Sequence, residues 1–197
     1  MRENTKSSDV MLFVRRLTVA PVFASVFLVT LLIRKPEIFS GIWQWGYDFL
    51  FIALFPLLAY PAQPFLKHFK DKGRQGQRTL AMIFAVAGYI LCCACNLIFG
   101  SSAGNRMIVL GYLFSGAAIF VFNKAFGLRA SGHACGIAGP TMLFVYFGMY
   151  IHAFIYVALT ALVYCSSLKT GRHTMRELIL GTLIPIFVVV LLWIIIG

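Results

Sequence analysis

The composition of this chain is that of a membrane protein. Hydrophobic residues make up 60% of its 197 residues and charged residues only 12%, about half of the charged fraction of an average soluble domain. This balance excludes an ordinary soluble enzyme, and the length suits one domain, so we predict a single integral-membrane domain over residues 1–197.

The net charge of +11 does not indicate a nucleic-acid partner, because the basic residues form no stripe interleaved with aromatic side chains on a soluble module. Basic loops beside apolar segments instead contact anionic membrane lipids, which we expect as partners. The five cysteines are odd in number and fall in or at the ends of apolar runs, which is typical of buried side chains and not of a metal site. The oligomeric state stays open.

The first apolar run extends over residues 17–33, after a polar and basic segment at residues 1–16. Together they imitate a secretory signal peptide, with its basic start and apolar core. However, Arg34 and Lys35 follow the run, where cleavage needs small residues. We therefore predict that this run is the first membrane span.

The remaining apolar runs predict six more spans. Their expected bounds are residues 47–66, 79–100, 107–122, two spans within 134–165, and 174–197. Pro56, Pro61 and Pro64 predict that the second span kinks or ends early, and Asp48 near its start is expected at the membrane interface. The run that holds two spans is too long for one helix across a core of about 30 Å, so we divide it near Gly148. The predicted fold class is all-α, a polytopic membrane helix bundle of six to seven transmembrane helices.

Two polar clusters lie between these spans. The first is N-K-A-F-G-L-R-A-S-G-H at residues 123–133, and the second is S-S-L-K-T-G-R-H at residues 166–173. Two spans separate the clusters, so both are expected on one side of the membrane, together with the basic loop at residues 67–78 and the N-terminus. The N-terminal segment and that loop carry nine Lys or Arg, whereas the opposite side has Arg34, Lys35 and Arg106. The positive-inside rule therefore predicts that both clusters lie near the cytoplasmic face of a cell or inner membrane.

The two clusters together supply the groups that handle a phosphate. The cations are Lys124, Arg129, Lys169, Arg172 and Arg176, and the two imidazoles are His133 and His173. Ser131 is a favourable N-cap before Gly132, at a helix start whose free N–H groups point toward an anion. No group of carboxylates is present to hold magnesium or zinc, so we predict chemistry without a metal or another cofactor.

Glu177 is the only acidic residue after Asp71, and it follows His173 by four residues. On a helix these two positions share a face, so the carboxylate can hold the imidazole ring and fix its tautomer. The alternative is that the two side chains only cap a helix.

These residues resemble the type-2 phosphatidic acid phosphatase superfamily, the integral-membrane lipid phosphate phosphatases, whose three signatures are K-x6-R-P, P-S-G-H and S-R-x5-H-x3-D. A-S-G-H at residues 130–133 is similar to the second signature, with alanine in place of proline. S-S-L-K-T-G-R-H-T-M-R-E at residues 166–177 is similar to the third, with Ser167 where the family has a phosphate-binding arginine. Lys124-x4-Arg129 is shorter than the first signature and lacks its proline.

The resemblance implies a role for each matched residue. His173 would be the nucleophile that forms a phosphohistidine, Glu177 would orient it, and His133 would protonate the leaving group. The implied phosphoryl-binding residues are Lys124, Arg129, Ser131, Gly132 and Ser166, with Lys169 or Arg172 in place of the missing arginine.

The implied substrate is a lipid phosphate or diphosphate: a polyprenyl phosphate or diphosphate, phosphatidic acid, or phosphatidylglycerophosphate. The sequence does not choose among them. Two alternatives remain open, namely a lipid phospho-headgroup transferase that uses the same histidine and a non-enzymatic membrane protein that binds lipid phosphates.

Overall fold

The computed structural model describes residues 20–196, and the polypeptide they form is helical. The α-helices are α1 Ala20–Arg34, α2 Ile42–Asp48, α3 Ala59–Ala62, α4 Gly73–Phe99, α5 Ala103–Lys124, α6 Gly132–Tyr146, α7 Tyr150–Lys169 and α8 Met175–Ile196. The described part of the chain contains no strand, which confirms the all-α class. The basic segment predicted at residues 1–16 and the first three residues of the first predicted span lie outside the described residues.

Five helical stretches are long and apolar enough to cross a membrane. They are Ile42–Phe65, Lys70–Phe99, Ala103–Lys124, Tyr150–Lys169 and Met175–Ile196. These five stretches are compatible with an integral membrane protein. The helices α1 and α6 have 15 residues each. At 1.5 Å per residue each is about 22 Å long, which is shorter than a typical hydrocarbon core.

The stretch Ile42–Phe65 is helical but irregular. After α2 it continues as a π-helical segment, Phe49–Leu54, and then as short 3₁₀ turns that hold Pro56 and Pro64. Proline has no N–H group and its ring clashes with the preceding turn, so a regular α-helix is interrupted at each of these positions. The predicted interruption of this span is confirmed.

The predicted break near Gly148 is also confirmed. The helix α6 ends at Tyr146 and α7 begins at Tyr150, with Gly148 at φ +71° between them. A side chain rarely adopts this left-handed conformation, so glycine permits the tight reversal between the two helices.

Asp48, which the sequence predicts at the membrane interface, is buried inside the protein. Its side chain is fully buried, and its carboxylate accepts hydrogen bonds from Cys92 Sγ and Asn96 Nδ2, each at 3.0 Å, and from Asn105 Nδ2. The helices α4 and α5 therefore supply the donors that water supplies at an interface. A buried carboxylate is tolerated when its oxygens receive such hydrogen bonds.

The predicted loop at residues 67–78 is shorter than expected, because α4 already begins at Gly73. The change from basic to apolar residues near position 79 marks where the apolar part of the helix begins. The helix itself starts six residues earlier. Arg74 and Arg78 are consequently held on a regular helix.

The helix α6 lies at the centre of the bundle and packs against α1, α7 and α8. Its Phe144 is fully buried and contacts the Phe27 ring of α1 and the Tyr156 ring of α7, with centroids 4.9 and 5.1 Å apart. Buried aromatic edge-to-face pairs of this kind add to the apolar contact area and fix the relative positions of the three helices. The start of α6 is thereby directed toward the start of α8.

Candidate active site

The starts of α6 and α8 are in direct contact. The N–H group of Ser131 donates to the carbonyl oxygen of Glu177 at 2.9 Å. Gly181, one turn further along α8, lies so close to Ser131 that an added Cβ would collide with its backbone. The absence of a side chain at Gly181 is therefore what allows the two predicted clusters to meet.

Ser131 is the N-cap of α6, as the sequence predicts. Its side chain accepts a hydrogen bond from the Ala134 N–H at 3.4 Å. The side chain is fully buried, so Ser131 supports the helix start and presents no hydroxyl to a ligand. Gly132 and His133 follow in the first turn, where unpaired N–H groups are available.

His173 and Glu177 are in contact, as predicted, although His173 lies two residues before α8 and not on the helix. The His173 Nδ1 atom lies 2.6 Å from Glu177 Oε2, and the two side chains are only 9% and 18% exposed. A carboxylate can only accept here, so Nδ1 carries the proton and the lone pair of Nε2 is left for chemistry.

Glu177 also caps α8. Its N–H group donates to Thr174 Oγ1, and the Thr174 N–H group donates to Glu177 Oε2, each at 3.4 Å. This reciprocal pair is a capping box. The two interpretations of Glu177 are thus compatible, because the same carboxylate closes the helix start and holds the imidazole ring.

The environment of His173 favours its neutral form. Burial lowers the pKa of the imidazole below its usual value, and the positive charge of Arg78 lowers it further. The hydrogen bond and the negative charge of Glu177 act in the opposite direction but do not outweigh burial. The lowered pKa favours the neutral form of the His173 imidazole at pH 7.

Both histidines line one cavity of about 690 Å³. Arg74, Arg78 and Arg172 line the same cavity, and no acidic side chain of the described residues does. The cavity thus combines two imidazoles with three guanidinium groups, which present planar pairs of donors suited to a phosphoryl group.

Arg74 and Arg78 are not among the residues predicted for the site, because the sequence places them in a basic loop. They are four residues apart at the start of α4, so they lie on one helix face. Arg78 also reaches the first cluster, where its Nη2 donates to the carbonyl oxygen of Ala130 at 3.4 Å. Their spacing, and the expected location of their loop on the same side as both clusters, were the signals in the sequence.

The first turn of α4 contains no acidic residue, and Lys72 before it provides no side-chain cap. Cations near a helix N-terminus oppose the helix dipole, so Arg74 is in a locally unfavourable position. An anion bound near this turn would interact favourably with both the dipole and the arginine.

Several predicted substrate-binding residues do not line the cavity. Lys124, Arg129 and Lys169 are exposed, and Lys124 Nζ donates to Thr79 Oγ1 at 3.4 Å. Ser166 is buried and its hydroxyl donates to the carbonyl oxygen of Val163 at 3.1 Å. Gly132 and Arg172, in contrast, are at the cavity.

Ser167, at the position of the family's arginine, is also buried. Its carbonyl oxygen accepts a hydrogen bond from the Arg172 N–H at 3.1 Å. Position 167 therefore helps to shape the turn that carries Arg172 and His173. The guanidinium groups at the cavity come from other positions.

Among residues 20–196 there is no group of three His, Cys, Asp or Glu side chains that could hold a metal ion. Comparison of the chain with models of protein families, with curated proteins and with solved structures finds no match. The chemistry that the site supports follows from its own residues: a carboxylate-held neutral imidazole, a second imidazole and three arginines around one cavity.

Proposed function

We propose that this protein is a membrane phosphatase that hydrolyses a lipid phosphate or diphosphate through a phosphohistidine intermediate. The observation that carries the proposal is the 2.6 Å contact between His173 and Glu177 beside a cavity shared with His133 and three arginines. The resemblance of residues 124–181 to type-2 phosphatidic acid phosphatases supports the same reaction.

In the first step His173 Nε2 attacks phosphorus, and a P–N bond forms as the bond from phosphorus to the leaving oxygen breaks. In the free protein, burial and the neighbouring His173 and Arg78 lower the pKa of His133 to about 4, so His133 must take up a proton together with the anionic substrate, whose negative charge favours the imidazolium form. His133 then transfers this proton to the leaving oxygen, so that the leaving group departs without a full negative charge. Arg78 and Arg172 stabilise the charge on the remaining phosphoryl oxygens. Glu177 holds the imidazole ring and stabilises the positive charge that develops on it.

In the second step a water molecule attacks the phosphohistidine. His133, now neutral, accepts a proton from the water as the new P–O bond forms. The P–N bond breaks and its electron pair returns to Nε2, which releases inorganic phosphate and restores both histidines. This sequence needs no electron transfer and no metal ion.

A lipid substrate is favoured by where the cavity lies. It is enclosed by α1, α4, α5, α6, the turn before α8 and Val189 within α8. Of these helices, α4, α5 and α8 belong to stretches that are long and apolar enough to cross a membrane. A substrate anchored in the bilayer reaches such a site without leaving the membrane. Phosphatidic acid, phosphatidylglycerophosphate and polyprenyl phosphates or diphosphates all meet this condition.

The proposed topology has six to seven spans, with α1 and α6 as the shorter members, and places the site near the cytoplasmic face. The excess of Lys and Arg on the site's side supports this orientation. A cysteine introduced at the exposed Gln75 and treated with an impermeant thiol reagent tests it. We expect no labelling in intact cells beyond that of the unmodified chain, and strong labelling from outside would reject the cytoplasmic orientation.

The activity is tested by phosphate release from the purified protein in detergent with EDTA present. The substrates are phosphatidic acid, phosphatidylglycerophosphate and a polyprenyl diphosphate, and the control is His173→Ala. We expect release from at least one lipid that survives EDTA and disappears in the variant. Transfer of the phosphoryl group to added glycerol in place of water would indicate a transferase, and no turnover by the folded protein would reject both enzymes.

A further inference from the structure

The cavity extends well below the two histidines. On α4 it is lined by Arg74 and Arg78 at one end and by Tyr89 at the other. These positions recur at intervals of three and four residues along one helix face, with Ala81 and Ala85 between them. At 1.5 Å per residue the lining from position 74 to position 89 covers about 22 Å along the helix axis.

The lining changes character along this length. The charged residues and both histidines are at the α4 start, whereas the deeper wall is formed mainly by apolar and small residues. Among them are Met82, Val86, Ile119, Leu143 and Val189. A ligand that fits this distribution has an anionic head and an apolar body.

Small residues keep the deeper part open. Gly111, Gly116 and Gly139 line it together with Ala85. At Gly116 an added Cβ would lie 2.8 Å from Cε2 of the Tyr89 ring, so only glycine leaves that ring in its place at the cavity wall. Side chains at these positions would fill the space that the described residues leave empty.

We propose that this cavity binds the hydrocarbon chain of an anionic lipid, with the phosphate at Arg74, Arg78 and Arg172 and the chain running along α4 toward Tyr89 and Tyr112. The proposal rests on the proposed function of the site. It adds that the chain enters the protein interior, and that the enzyme therefore selects substrates by their chain as well as by their phosphate.

The volume limits what the cavity can hold. If each non-hydrogen atom of a ligand takes about 30 Å³, the volume of a water molecule in the liquid, 690 Å³ accommodates roughly 20 such atoms. This is enough for a phosphate head and one chain segment but not for two complete chains. A single-chain lipid within this size fits as a whole, whereas a longer single chain or a two-chain lipid must leave part of its hydrocarbon in the bilayer.

The Ala85→Phe substitution tests this proposal, because it places an aromatic ring in the cavity below the two histidines. The matched control is Ile90→Phe, which adds a ring on the exposed side of the same helix, since Ile90 is 53% exposed and does not line the cavity. Each protein is assayed with dodecyl phosphate and with the short soluble ester butyl phosphate. We expect Ala85→Phe to lower kcat/KM for dodecyl phosphate about tenfold and to change kcat/KM for butyl phosphate less than about twofold.

The control should turn over both esters like the wild type. Equal retention of both activities in Ala85→Phe would overturn the chain-binding proposal. If Ala85→Phe folds poorly and loses both activities, the proposal is tested on the wild-type protein instead. Its unfolding midpoint is then measured in the presence of alkyl phosphates of increasing chain length. The unfolding midpoint should rise with chain length and then level off, and a midpoint independent of chain length would overturn the proposal.

These readouts separate the two proposals. If the wild type releases phosphate from neither ester but dodecyl phosphate stabilises it more than butyl phosphate does, the chain-binding site stands and the phosphatase reaction fails. If both esters are hydrolysed at rates that Ala85→Phe leaves unchanged, the phosphatase stands and the chain-binding site fails.

Discussion

The N–H group of Ser131 and the carbonyl oxygen of Glu177 are joined by a 2.9 Å hydrogen bond between two helix starts that are far apart in the sequence. His133 follows Ser131 by two residues, and His173 is held by the side chain of Glu177. One backbone hydrogen bond thus links the segments that carry the two imidazoles.

Gly181→Ala tests the importance of this link. An added methyl group meets the backbone of Ser131, so the two helix starts must separate. We expect a loss of about 1–3 kcal/mol in unfolding free energy, together with a fall in phosphate release. Gly46→Ala is the control, because a Cβ there meets no atom within 4 Å, and its stability should equal or exceed that of the wild type. Wild-type stability of Gly181→Ala would contradict the close contact.

Glu177→Gln isolates the charge of the carboxylate from its capping role. Glutamine also completes a capping box, so α8 should keep its start and the variant its unfolding midpoint. The negative charge that raises the pKa of His173 is removed, so the acid limb of the rate profile should move to lower pH while kcat falls. Glu177→Ala is the comparison and should lose about 1 kcal/mol of stability as well. A pH profile unchanged by Glu177→Gln would exclude the proposed charge interaction.

The stability of the protein should decrease on acidification because of two partly buried histidines, His133, whose pKa burial lowers to about 4, and His173. The pKa of His173 in the folded state is below the value of about 6.5 in an unfolded chain, so the unfolded state binds the proton first as the pH falls. This contribution to stability is complete above pH 6.5 and is lost between that pH and the folded-state pKa. Unfolding midpoints measured from pH 7.5 downward should fall less steeply for His173→Gln than for the wild type. If the unfolding midpoints of the two proteins fell equally steeply with decreasing pH, this would contradict the lowered pKa of His173.

Arg78→Gln should weaken phosphate handling without unfolding the protein. Removing a donor that stabilises the transition state lowers kcat by about 10²- to 10³-fold in enzymes where this has been done. Arg106→Gln is the control, since Arg106 is exposed, donates to the carbonyl oxygen of Ser101 and does not line the cavity. Similar kinetics for the two variants would remove Arg78 from the proposed site.

Tyr112→Phe should leave the protein as stable as the wild type or make it more stable. The Tyr112 hydroxyl is buried and finds no hydrogen-bond partner among residues 20–196, so removing it eliminates an unsatisfied polar group. Tyr156→Phe is the contrast, because its hydroxyl donates to the carbonyl oxygen of Phe23 at 2.9 Å. That variant should lose about 0.5–1.5 kcal/mol. Equal losses in the two variants would show that the Tyr112 hydroxyl has a partner.

The helical architecture could be predicted because hydropathy and proline positions report directly on membrane helices. The interruptions at Pro56 and Gly148 follow from backbone chemistry that does not depend on distant residues. The contact between His173 and Glu177 was predicted from helical spacing but forms in a different way. His173 precedes the start of α8, and Glu177 reaches back to it from the first turn of the helix.

The errors concern contacts between distant segments. The burial of Asp48 could not be predicted, because its donors, Cys92, Asn96 and Asn105, lie on two later helices and the local sequence does not indicate this packing. Arg78 was missed for the same reason, since its relation to Ala130 depends on how α4 packs beside the start of α6. Ser166 matches the family's motif, but its hydroxyl turns toward its own helix.

The capping box places a backbone reporter beside the contact between His173 and Glu177. The Thr174 N–H group donates to Glu177 Oε2, the same oxygen that lies 2.6 Å from His173 Nδ1. Exchange of this amide hydrogen with solvent should therefore become faster whenever the carboxylate turns away from the imidazole. Binding of a phosphate ligand that orders the site should slow exchange at the Thr174 amide.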